Sequence, residues 1–169
     1  MRKSKGSTVI QQTTINRAAK YFLTANQSLK NETIDLLFEE QPAMINFFKY
    51  LDEGHPNEMN KEIILQITSI IFIALRWQKI KVKKIRLSSI TKHLDKNAQM
   101  KSYFSNPTFE FDDEGFDAFW QDYKQKHIMG YALFAIRNQF RSEVTTERDA
   151  VFIFYTIKTI SDIITESTN

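Results

Sequence analysis

The run Ile63-Ile64-Leu65-Gln66-Ile67-Thr68-Ser69-Ile70-Ile71-Phe72-Ile73-Ala74-Leu75 constrains this chain more than any other stretch. Met59, Ile63, Ile67, Ile70, Ala74 and Trp77 recur at helical spacing and make one apolar stripe. Ile64, Ile71 and Leu75 make a second, and Leu65 with Phe72 a third; only Gln66, Thr68 and Ser69 interrupt them. A helix that is apolar nearly all round is buried nearly all round, so other helices must surround this one. The run has 13 residues, whereas a bilayer span takes about 20. Each Ile or Leu it buries contributes roughly 1.5–3 kcal/mol.

The fold expected from this centre is an all-α, single-domain bundle of six or seven helices around a buried helix at about 57–79. Gly (4) and Pro (3) are scarce, which suits long helices and short connections better than a strand-and-turn architecture. Residues 1–12 read as a basic polar tail and 13–169 as the helical domain. Ile80-Lys81-Val82-Lys83 and Phe109-Glu110-Phe111-Asp112 alternate with period two. Two very short strands near 80–87 and 108–112 are therefore one option, and extended loops the other.

Local signals place the helix ends. Thr13 or Thr14 caps the first helix, and Asn31 can cap the second. Pro42 suits the first turn of the third, and Pro56 that of the central helix, with Glu58 and Glu62 in its early turns. Ser88 or Ser89 caps a helix carrying Ile90, Leu94, Met100 and Phe104. Asp112 or Asp113 opens another, with Phe116, Phe119, Trp120 and Tyr123 on one face. A kink or break is expected near Gly130, the alternative being one long helix to Arg141. Thr146 with Asp149 at N3 resembles a capping box for the last helix, which buries Ala150, Ile153, Phe154, Ile157, Ile160 and Ile164.

Chemistry-bearing motifs are sparse. The chain has no Cys, which removes disulfides, thiolate nucleophiles and Cys-built metal sites. Glu-x-x-His pairs, His-Glu-x-x-His, a Gly-rich phosphate loop and Gly-x-Ser-x-Gly are all absent from the sequence. His55, Glu58 and Glu62 could project from one side of a helix start. Acids suited to the helix dipole explain them more simply. No cofactor or metal is called for, and the reading leans away from an enzyme. The first residues lack the apolar core of a signal peptide, so a cytoplasmic, non-membrane protein is expected.

Charge falls in blocks. Residues 63–109 carry nine bases against Asp95 alone, and 110–122 carry six acids and no base. Arg76, Lys79, Lys81, Lys83, Lys84 and Arg86 form a candidate basic patch. Residues 88–104 superficially suggest helix–turn–helix, but Asp95 stands where a turn glycine is usual, and Lys96 and Lys101 where apolar residues should lock the helices. The aromatic-rich stretch that follows offers Phe109, Phe111, Phe116 and Trp120 as a candidate partner or self-association surface, through which a homodimer could form. The leading functional reading is a non-enzymatic interaction or adaptor module. The alternatives are nucleic-acid binding through 76–101, and a small-ligand protein or enzyme with a pocket between helices.

Overall fold

The computed structural model describes residues 8–54, 57–104, 121–144 and 146–168. Among them the chain is all-helical, with seven α-helices and no strand. In chain order they are α1 (Gln12–Thr24), α2 (Gln27–Glu40), α3 (Ala43–Gly54), α4 (Glu58–Trp77), α5 (Leu87–Phe104), α6 (Lys126–Phe134) and α7 (Glu147–Ser167). A π-turn over Ala135–Gln139 extends α6. No helix among the described residues is long and apolar enough to cross a membrane.

The central helix lies where its apolar run demands. From Ile63 to Leu75 only Leu65 and Gln66 are even half-exposed. The ends of the stripe differ: Met59 and Trp77, in the first and last turns of α4, are each 43% exposed. Trp77 is covered in part by Tyr21, edge-on at 5.4 Å, and by the Arg17 guanidinium over its ring. The structure adds a second central helix. In α7 every residue from Ile153 to Ser161 is buried, including Thr156, Lys158 and Thr159. Helices α1, α2 and α3 pack on α4, α5 packs on α7, and α6 lies against both α1 and α7.

Several ends are corrected. Asn26, not Asn31, caps α2, its side chain accepting from Leu29 N–H at 2.9 Å. Helix α1 starts at Gln12 rather than at a threonine cap. Asn57 caps α4 by accepting from the N–H groups of Met59 and Asn60, and Pro56 lies outside the described residues. Residues 8–11, expected to belong to the tail, are docked instead. Ile10 is fully buried, Gln125 bonds Ile10 N–H and Thr8 C=O, and Gln78 bonds Gln11 N–H and Val9 C=O. The backbone of this segment is satisfied by two glutamine side chains, which no local pattern announces.

Residues 88–104 form part of one continuous helix, so no turn interrupts the segment that suggested helix–turn–helix. The option of one helix from 113 to 141 also fails, because 121–125 are non-helical. Gly130 lies inside α6, and the irregularity comes later, at the π-turn, where Phe140 N–H bonds Ala135 C=O. Of the expected capping box the N-cap half is present: Asp149 N–H donates to Thr146 Oγ1 at 3.1 Å, while the Asp149 carboxylate accepts from the Thr146 hydroxyl and not from its backbone N–H.

Candidate interaction site

The exit of α4 creates the site. Lys79 adopts a left-handed conformation (φ 56°), Ile80 N–H bonds Leu75 C=O, and Lys79 N–H bonds Arg76 C=O. This is a Schellman closure with a lysine where glycine is usual. It turns the chain back along the bundle, and residues 80–86 then run without helix to α5. This strap holds the first of the two proposed strands, at 80–87. No strand partner exists for it among the described residues. Its backbone is paired by other means. Lys83 N–H donates to Ser167 C=O at 2.9 Å, and Ile85 N–H donates to the buried Gln41 Oε1 at 2.9 Å. Gln41 Nε2 in turn donates to Lys83 C=O. One glutamine side chain thus replaces a neighbouring strand.

Beneath the strap lies a cavity of about 370 Å³, within the range of ligand pockets. Leu37 and Met44 close one side, Thr68, Phe72 and Leu75 of α4 form the floor, and Ile160 and Ile164 of α7 the far wall. Ile80, Val82 and Ile85 of the strap point to the bundle and are half-buried, while Lys81, Lys83, Lys84 and Arg86 are exposed. The strap therefore has an apolar inner side and a basic outer one, alternating from Ile80 to Lys83 and breaking period at Lys84. All six candidate basic residues are exposed, and five of them, Arg76 excepted, lie on this short connection. Arg76 is committed: it pairs with Glu40 and lies over the Phe72 ring. Lys81, at the cavity wall, makes no ion pair among the described residues.

The other polar groups of the cavity are occupied. Thr68 donates to Ile64 C=O at 2.7 Å, Glu40 holds Arg76, and Gln41 holds the strap. The arrangement supplies an apolar chamber and a cation at its wall, with no activated nucleophile beside a base among the described residues. Binding is what such a site can do chemically.

Two further polar constellations lie elsewhere. Lys158 is 5% exposed and donates to Asp162 at 2.7 Å and to Asn97 at 3.0 Å. Tyr123 donates to the same carboxylate at 2.6 Å. Burial first, and the Asp162 charge second, hold the Tyr123 phenol above its ordinary range, so it stays a donor. At the end of α7, Glu166 accepts from Ser89 at 2.6 Å, bonds the His93 ring at 2.7 Å and pairs with Lys92 at 3.1 Å. Those partners, Ser89 foremost, hold its carboxyl down at about 2. Ser89 and His93 both turn to Glu166 rather than to each other, so no nucleophile–base relay forms between them. Both constellations fasten α5 to α7.

Phe109, Phe111, Phe116 and Trp120, the candidate partner surface, and the second proposed strand at 108–112 lie outside the described residues, as does His55. Glu58 is exposed and pairs with Lys61, and Glu62 is exposed beside Gln66. No group of three His, Asp or Glu side chains that could hold a metal ion occurs among the described residues. The sequence singles out the basic residues but not Gln41, the side chain that makes their connection a defined surface. A buried Gln is visible in a sequence only as one polar letter between two helices.

Fold and site together define a helical bundle with a basic strap over an apolar cavity. No protein-family model, no curated protein and no solved structure matches the chain.

Proposed function

We propose that this chain is a non-enzymatic interaction module, and that an acidic segment of a partner protein docks on the face formed by the strap and its cavity. The observation that carries this is the cavity itself: apolar inside, with Lys81 outside any ion pair among the described residues and every neighbouring polar group already engaged. An apolar side chain with acidic neighbours satisfies both features, because burial supplies affinity and charge supplies orientation. The same cations also suit nucleic acid, but phosphate has no use for the apolar chamber beside them.

The test uses anilinonaphthalene sulfonate, an apolar anion small enough for the cavity, read by its fluorescence. The expected result is saturable binding that weakens by about tenfold in both Val82→Trp, which fills the chamber, and Lys81→Glu. Binding that neither substitution touches, or no saturable binding, overturns the site. Stronger competition by a single-stranded oligonucleotide than by an acidic, valine-containing peptide overturns the choice of partner.

A further inference from the structure

A second groove, of about 420 Å³, lies between α1 and α6 and shares no residue with the strap cavity. Helical spacing builds its α1 side. Asn16 and Lys20 are neighbours one turn apart and stand exposed at the rim, and Ala19 and Leu23 form an apolar row beside them. Tyr131 and Phe134 of α6 and Gln139 of the π-turn make the facing wall. Phe134 is 55% exposed there. A π-turn adds one residue to a helix, and such insertions concentrate at functional sites. Here the turn holds Gln139 where its Oε1 accepts from the Tyr131 hydroxyl at 3.1 Å.

The polar capacity left over in this groove is of one kind. Each amide oxygen already has a partner: Asn16 Oδ1 accepts from Gln12 Nε2 at 3.0 Å, Gln139 Oε1 accepts from Tyr131, and Gln12 Oε1 meets the His127 ring at 3.2 Å. The donors are unmet on both walls. Gln139 Nε2 is buried without an acceptor. Among the described residues Asn16 Nδ2 and the Lys20 ammonium have no acceptor either, and no acidic side chain lines the groove. A site short of acceptors, with an aromatic ring and a leucine beside them, fits a ligand that brings oxygens on an apolar body.

Independently of the docking reading above, we propose that this groove binds a small organic acid, its carboxylate on Lys20 and Asn16 Nδ2 and its apolar body between Leu23 and the Phe134 ring. One cation lines the groove among the described residues, which matches the single charge of a carboxylate. A phosphate monoester carries about two charges at neutral pH and would leave one unmatched.

Calorimetric titration with 3-phenylpropionate tests this, with 3-phenylpropionamide as its neutral counterpart. The acid should bind saturably at one molecule per chain, and the amide about tenfold more weakly. Lys20→Met and Phe134→Ala should each weaken the acid several-fold, with unchanged circular dichroism showing that these exposed substitutions leave the fold intact. Val82→Trp, which fills the strap cavity, should leave its binding unchanged. No saturable binding, equal binding of acid and amide, or binding that survives both groove substitutions overturns the proposal. The comparison of acid with amide uses the unaltered chain, so it decides even where a variant fails to fold. Loss of binding in Val82→Trp would place the acid under the strap, which overturns the second site and leaves the docking face standing.

Discussion

Lys158 sits in the core because three partners meet it there. Its ammonium donates to Asp162 and Asn97 and lies over the Tyr123 ring at 5.5 Å. Removing one member of such a buried pair leaves an uncompensated charge, so Lys158→Met should cost about 3–5 kcal/mol in urea unfolding. Lys158→Met with Asp162→Leu should recover part of that loss, because neither charge is then buried alone. A single-variant cost under about 1 kcal/mol would show that the pair is wetter than its 7% and 11% side-chain exposures indicate. Glu166 makes the pH prediction. Its carboxyl titrates at about 2 in the folded chain, against 4.5 for a glutamate without partners. A depressed carboxylate stabilises above its unfolded pKa and loses that stabilisation as pH falls through the folded one. Stability should therefore decline between pH 4.5 and about 2, and Glu166→Gln should flatten that decline, as read by thermal melts across the window. Neither cluster was legible in the sequence: Asn97 lies 61 residues from Lys158 and Ser89 lies 77 from Glu166, and only the tertiary fold joins them.

Elements were legible where periodicity is long and caps are local. Helix α4 is one case and the Thr146 cap of α7 another. The rest turned on side chains acting at a distance. The strap reads as a strand because Ile80 to Lys83 alternate, yet the alternation breaks at Lys84 and the Gln41 amide stands where a strand partner was expected. Gly130 reads as a break because glycine disfavours helix, yet α6 passes through it without positive φ. A methyl group there meets nothing within 4 Å, so Gly130→Ala should stabilise the chain by about 0.5–1 kcal/mol in denaturant titration. A loss instead would mean that the π-turn five residues on depends on the glycine. Lys79 gives the converse. A non-glycine left-handed residue costs roughly 1–2 kcal/mol, so Lys79→Gly should raise stability by about 1 kcal/mol. The same change should lower affinity for an acidic peptide, by removing one exposed cation from the strap. A stabilised variant that binds as well as the parent would place Lys79 outside the docking face.

At the scale of the whole molecule, two helices that are each buried on nearly every side divide the protein into regions of unequal stability. Helix α4 buries Ile63, Ile64, Ile67, Ile70 and Ile71, and α7 buries Ile153, Ile157, Ile160 and Ile163, each at 1% exposure or less. Neither can leave water-free surroundings without dismantling most of the core, so their amides should exchange with solvent only through global unfolding. Helix α2 is different: Leu37 is its one buried residue. The strap is held by the Lys83–Ser167 bond and by Gln41. Both can open while α4 and α7 stay packed, which also suits a face meant to receive a partner. Hydrogen exchange read by mass spectrometry should rank peptides from α4 and α7 slowest, with α2 and the strap exchanging well before them. Gln41→Ala should speed exchange at Lys83 and Ile85 and leave Ile67–Leu75 unchanged. Exchange of the strap at the same rate as α4 would mean that it is an integral part of the core.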